Sequence, residues 1–140
     1  MTGEATIEVS RVLPAPVDEV FRWWTDEELL GRWMSPTGSV DAEVDLRVGG
    51  SFRIVMKDAG MQIDHTGEYF EIDRPHRLVF SWRSPYTGGA TMVSVSFEAE
   101  GRTSTRLVIV HSGLPEAVAD GHQGGWGTMA GRLAAALAAA

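Results

Sequence analysis

Three features of the sequence predict an α+β fold: a curved antiparallel sheet of about seven strands wrapped around a long C-terminal helix, with two short helices after the first strand. Between residues 39 and 112, six segments alternate apolar and polar residues and are separated by turn signals. From Pro115 onward, Val118, His122, Trp126, Met129, Leu133 and Leu137 recur at steps of three or four, which is one face of a single helix over about five turns. Ahead of both, one alternating segment gives way to two short stretches of helical period.

The first strand spans 6–13, "TIEVSRVL", with Ile7, Val9 and Leu13 on one face. In "PAPVDEVFRWW" the period changes, and Val17, Val20, Phe21 and Trp24 make an apolar helical stripe. Pro16 suits a first helical position, and Asp18 and Glu19 complement the positive end of the helix dipole. A second short helix follows, with Thr25 and Glu28 at capping-box spacing and Leu29, Leu30 and Trp33 as its apolar side. Strands are expected at 39–45, 51–57, 63–73, 77–84, 91–100 and 103–112, divided by "VGGS", "DAGM", "DRPH", "SPYTGG" and "EGRT". Phe52, Ile54 and Met56 share a face, as do Leu78, Phe80 and Trp82. Val93, Val95 and Phe97 share another, as do Leu107, Ile109 and His111. Consecutive strands with short connections imply an antiparallel meander.

A chain of 140 residues fits a single domain over 1–140 that needs no staple. There are no cysteines, which excludes disulfides and thiolate metal sites. The net charge of −7 argues against a nucleic-acid partner. No apolar run approaches the roughly 20 residues that span a bilayer, so no membrane insertion is expected. The acidic start "MTGEATIEVSR" does not read as a signal peptide, and a cytoplasmic protein is expected.

The segment "DGHQGGWGTMAGRLAAAL" sets five glycines inside the final helix. A phosphate loop would place them between a strand and a helix start, commonly with a following Lys-Ser or Lys-Thr. Here they lie within the apolar stripe and have no lysine nearby. Each interior glycine costs a helix about 1 kcal/mol against alanine, so something must offset the sum. Close approach of helix and sheet, room for a ligand beside the helix, or a local kink would each do so. The close-approach reading predicts that Gly125→Ala lowers the melting temperature.

The element order matches the helix-grip fold, in which a curved sheet wraps the long helix and leaves a cavity between them. The segments "RVLPAPVDEVFRWWTDEELLGRWM", "DLRVGGSFRIVM", "GEYFEIDRPHRLVFSW", "TRLVIVHSGL" and "GHQGGWGTMAGRL" resemble the activator of heat-shock protein 90 ATPase homologue-like group. That group belongs to the START-like (SRPBCC) superfamily, and the resemblance runs from about residue 6 to 137. It implies a Bet v 1-like domain whose relatives include co-chaperone domains, lipid carriers and polyketide cyclases.

Five tryptophans and six methionines make an apolar ligand site the strongest functional expectation. Trp24, Phe80 and Phe97 are assigned to the core. The fold implied by the resemblance places Trp33, Met34, Trp82, Trp126 and Met129 at the helix–sheet opening. Met56, Tyr69, Met92 and His122 complete the candidate ligand-binding set, and an enclosed, mostly apolar cavity is expected. Any of these side chains also has a reading as plain core packing. His122 matches the family's H-x-x-G-W segment, and His111, His122 and Tyr69 are the candidates for acid–base catalysis. His65, His111 and His122 can converge, but their spacing matches no zinc motif, so no metal or other cofactor is expected. Tyr69 and Glu71 share one strand face and Phe70 and Ile72 the other; alternation leaves both orientations open. An inward Glu71 would need a partner such as Arg53 or Arg83. Val108 and Val110 face outward, which leaves a homodimer open.

Three functions follow. The first is binding of a small hydrophobic or aromatic molecule between sheet and helix. The second is an enzyme of polyketide cyclase or hydrolase type on the same cavity. The third is a chaperone-linked interaction domain, against which the lack of the activators' additional domain argues.

Overall fold

The computed structural model describes residues 3–140. β1 (Glu4–Leu13) leads into α1 (Val17–Thr25) and the single-turn α2 (Glu27–Leu30). Then come β2 (Ser39–Val44), β3 (Ser51–Asp58), β4 (Met61–Asp73), β5 (Arg77–Trp82), β6 (Thr91–Ala99) and β7 (Thr105–Pro115). The chain closes with α3 (Glu116–Ala139). Every expected element is present within a few residues of its expected limits. The strands form one seven-stranded sheet in the order β1-β7-β6-β5-β4-β3-β2, all neighbours antiparallel. β2 to β7 are a meander, and β1 closes the far edge by pairing with β7.

The inward faces are those the alternation indicated. Leu78, Phe80 and Trp82, then Val93, Val95 and Phe97, then Leu107, Ile109 and His111 are all buried. They meet α1 through Phe21, whose ring packs edge-on against Phe97 at 5.3 Å. Val108 and Val110 project from the outer face, opposite Ser10 and Glu8 on one side and Ser96 and Ser94 on the other. No helix of the described residues is long and apolar enough to cross a membrane.

Two local expectations change. The cap of α2 is Asp26, whose carboxylate accepts from Leu29 N–H at 3.0 Å. Thr25 instead donates its hydroxyl to the Phe21 carbonyl at 3.0 Å, within α1. A tighter junction between the helices therefore shifts the cap by one residue. In β4 the alternation breaks at a bulge between Tyr69 and Glu71, where two positions oppose one on β5. Tyr69 points inward, whereas Phe70 and Glu71 both point out, so neither simple alternation applies. Glu71 pairs with Arg77 at 3.2 Å on the surface, not with Arg53 or Arg83. Arg53 pairs with Asp64 at 2.8 Å.

α3 packs mainly on β1 and β7. It therefore follows one end of the curved sheet, while the β3–β4 arm at the other end stands away from its N-terminal half. That asymmetry creates the site.

Candidate functional site

The deep end of the sheet–helix interior is filled by aromatic side chains. Trp24 meets Trp33 edge-on at 4.7 Å and stacks against Trp126 at 6.0 Å. Trp33 is fully buried and donates its indole N–H to the Trp23 carbonyl at 3.1 Å. Only about 10 Å³ of space remains among Met34, Phe52, Tyr69 and Phe80, no more than one water's worth. Trp33, Met34 and Tyr69 thus belong to the packed core and do not wall the open cavity. The physical reason is the tryptophan cluster itself, which closes the interior below Trp82 and Trp126.

Above that floor a cavity of about 390 Å³ opens between α3 and the sheet. Its helix wall is Val118, Gly121, His122, Gly125, Trp126 and Met129, residues spaced along one face of α3. Its sheet wall is Met56, Ile63, His65 and Trp82, from β3, β4 and β5. Pro36, Tyr86 and Ala117 form the rim, where the exposed Tyr86 marks the opening to solvent. The expectation of a fully enclosed chamber gives way to a cavity open at one side, because α3 follows β1 and β7 and leaves the β3–β4 arm uncovered.

The glycines explain the helix wall. A Cβ built at Gly121 or Gly125 meets nothing within 4 Å. Close approach to the sheet is therefore not what these glycines serve, and the expected destabilisation by Gly125→Ala is overturned. Their lack of side chains leaves space beside the helix. Tight backbone approach occurs instead at Gly67 in β4, where a Cβ would run into the Ser81 carbonyl oxygen and the Phe52 ring.

Met92 lies outside the site. It follows the inward Thr91 on β6, so alternation sends it to the outer face, where it is 38% exposed.

The three histidines divide by their hydrogen bonds. Trp126 Nε1–H donates to His111 Nδ1 at 3.0 Å, so that nitrogen must be an acceptor. The neutral ring then carries its proton on Nε2, which donates to Thr91 Oγ1 at 2.7 Å. Thr91 in turn donates to the Trp82 carbonyl at 2.6 Å. Protonating His111 would set two N–H groups against each other. Burial, helped by the nearby His122, pushes its pKa down to about 3. With both nitrogens engaged, His111 is a structural brace between β6, β7 and α3. It offers no free nitrogen for acid–base work.

His122 donates Nδ1–H to the Val118 carbonyl at 2.8 Å, one turn back on α3. In the neutral ring its Nε2 is therefore an acceptor. His65 is only 6% exposed, packs against Trp82 at 4.8 Å, and has a buried Nδ1 with no hydrogen-bond partner. Burial lowers its pKa; the Ile54 and Ile63 backbone offsets this only in part and makes no well-formed bond to Nδ1. Among the described residues, no three of His, Cys, Asp or Glu are grouped to hold a metal ion. Tyr69, buried beside Phe52 and Phe80, has its phenol pKa raised by burial and does not line the cavity.

Of the expected ligand-binding residues, Met56, Trp82, His122, Trp126 and Met129 come together at the cavity. Ile63, Gly121 and Tyr86 line it without being expected there from the sequence, and His65, considered only as a metal ligand, lines it too. A signal for His65 and Ile63 lies in "DAGM". Ala59 and Gly60 both take positive φ, making a two-residue hairpin in which Asp58 faces Met61. That register sets Ile63 opposite Met56 and His65 opposite Ile54, on the inward face.

Residues 14–138 match the family described as Activator of Hsp90 ATPase homolog 1-like protein. Mll3558 from Rhizobium loti is 25% identical with a TM-score of 0.81, the match covering 96% of this chain and 98% of that one. PFC0360w, an HSP90 activator from Plasmodium falciparum, is 29% identical with a TM-score of 0.65, over 79% of this chain and 74% of that one. DynU16, a protein of the dynemicin biosynthetic locus, is 26% identical with a TM-score of 0.77, over 93% of this chain and 46% of that one. No curated protein matches the sequence. The shared architecture is the helix-grip fold.

Proposed function

The chain belongs to the Activator of Hsp90 ATPase homolog 1-like family, and from that premise we propose that it binds a small hydrophobic or aromatic molecule in the cavity between α3 and the sheet. The observation that carries this reading is the pairing of an apolar cavity of about 390 Å³ with two helix glycines on its wall. That volume falls within the ~300–1,000 Å³ typical of small-molecule sites. A helix tolerates such glycines at about 1 kcal/mol each, and filling the space with alanine or leucine would recover that stability. Retaining the space at that cost fits a ligand. The rings of Trp82 and Trp126, packed on each other with centroids 5.2 Å apart and planes tilted by 51°, supply an apolar wall for such a molecule.

Binding is favoured over catalysis because two of the three expected acid–base groups are unavailable, which leaves His122 alone of that set at the cavity. His111 has both ring nitrogens engaged, and Tyr69 is packed away from the cavity with its phenol proton held more tightly. Native mass spectrometry of freshly purified protein is the test. A co-purifying small molecule, released on denaturation, supports the reading. Protein that carries nothing and takes up no neutral aromatic probe contradicts it.

A further inference from the structure

The cavity is long as well as apolar, and a rim residue marks each end. Its helix wall runs from Ala117 to Met129, which on α3 is a length of about 18 Å. Pro36 marks the Met129 end: its neighbour Ser35 gives its carbonyl to the guanidinium of Arg132, the next turn of α3. Tyr86 marks the Ala117 end. It lies in the β5–β6 connection, and β6 starts beside the end of β7, with Met92 opposite Ser112, just before α3 begins. About 390 Å³ spread over that length makes a narrow trough. Among the described residues, no Asp, Glu, Lys or Arg lines it.

Tyr86 is 51% exposed, yet it stands on a fixed base. Pro85 occupies the second position of a turn closed by Thr87 N–H, which donates to the Ser84 carbonyl at 3.2 Å. The buried Thr87 hydroxyl donates to the Gly89 carbonyl at 2.7 Å and accepts from Ser84 N–H at 3.1 Å. Ser84 Oγ accepts from Tyr86 N–H at 3.1 Å. The backbone on either side of Tyr86 is thus tied down, while its side chain stays half uncovered at the mouth. An aromatic side chain on a rigid base offers contact area at small entropic cost.

We propose, resting on the binding reading above, that the ligand is an uncharged, narrow and extended molecule lying along α3, one end over Trp126 and Met129 and the other against Tyr86. Binding grows with the apolar surface removed from water. An extended molecule covers both ends of the trough at once. A compact one settles at one end, and a broad one does not fit the width.

The experiment titrates naphthalene, pyrene and trans,trans-1,4-diphenylbutadiene into wild type, Tyr86→Ala and Tyr86→Phe. Pyrene and diphenylbutadiene have the same number of carbons, so the pair separates shape from apolar content. Quenching of tryptophan emission gives Kd for these two, displacement gives it for naphthalene, and thermal unfolding checks each variant. In wild type, diphenylbutadiene should bind at least about tenfold tighter than pyrene. Tyr86→Ala should weaken diphenylbutadiene about three- to tenfold, the worth of one aromatic contact. Naphthalene, held at the deeper Trp126 end, should be unaffected, and Tyr86→Phe should retain wild-type affinity for all three. Pyrene binding as tightly as diphenylbutadiene overturns this inference and leaves the apolar-ligand reading standing. So does a Tyr86→Ala loss that is absent for diphenylbutadiene or equal for naphthalene. Binding of none of the three overturns both. The comparison of the two shapes in wild type decides the matter even if a variant fails to fold.

Discussion

Gly125→Ala should raise stability, and Gly67→Ala should lower it. At Gly125 the added methyl meets nothing within 4 Å, and the residue lies in the middle of α3 with ordinary helical geometry. The change in helix propensity then acts unopposed, about 0.8–1.0 kcal/mol in favour of alanine. For a chain of this size that corresponds to a rise of about 2–5 °C in Tm. At Gly67 the methyl would overlap a backbone carbonyl that cannot swing aside, as well as the Phe52 ring, itself packed on Tyr69 and Phe80. Overpacking of that kind costs about 1–3 kcal/mol. Thermal unfolding by circular dichroism, with urea titrations to convert Tm into free energy, reads both signs. A Gly125→Ala protein less stable than wild type would show that α3 is closer to a neighbour than the structure has it. The account of the cavity wall would then fail.

Acid should destabilise the fold before its carboxylates titrate. His65 and His111 are both held below the ordinary imidazole value of 6.5, chiefly by burial. Below about pH 6.5 the unfolded chain therefore binds protons that the folded chain refuses, so stability is full above that pH and falls as pH drops. The slope reaches up to about 1.4 kcal/mol per pH unit for each ring. Tm should be flat from about pH 8 to 7 and decline between about 6.5 and 5, with a smaller decline in His111→Gln; a Tm that climbs over that interval contradicts the assigned neutral state. Trp126→Phe removes the N–H that His111 Nδ1 accepts and strands a buried acceptor. It should cost about 1–3 kcal/mol in urea unfolding beyond the lost contact area, and a neutral effect would mean that the His111 brace carries little.

The fold was legible because its elements are strongly periodic. Leu78/Phe80/Trp82 and Val93/Val95/Phe97 alternate without interruption, and each set lies inward as read. The stripe from Val118 to Leu137 likewise settled the long helix and the side it turns to the sheet. Legibility failed where one residue of shift changes the outcome. At Tyr69–Glu71 a bulge turns two successive side chains outward, which no two-residue period can express. Met92 was drawn into the site by residue type, although its neighbour Thr91 holds the inward position. Trp33 and Met34 have the composition of a ligand wall but are consumed by packing against Trp24 and its neighbours, a choice that only tertiary contact makes. His65 was recognisable as inward from the hairpin register, yet its missing partner is a property of the assembled interior.

The central claim, that the space beside Gly121 and Gly125 is a ligand site, is tested most directly by filling it. Gly125→Leu places a side chain at the cavity wall, from a backbone position where a Cβ meets nothing within 4 Å. Wild type and variant are titrated with N-phenyl-1-naphthylamine, a neutral fluorescent probe, and their melting temperatures are recorded alongside. The account predicts saturable one-to-one binding to wild type, at least about a tenfold loss in Gly125→Leu, equivalent to about 1.4 kcal/mol, and a variant melting temperature no lower than wild type. Equal affinity in the two well-folded proteins would place the probe elsewhere and contradict the claim.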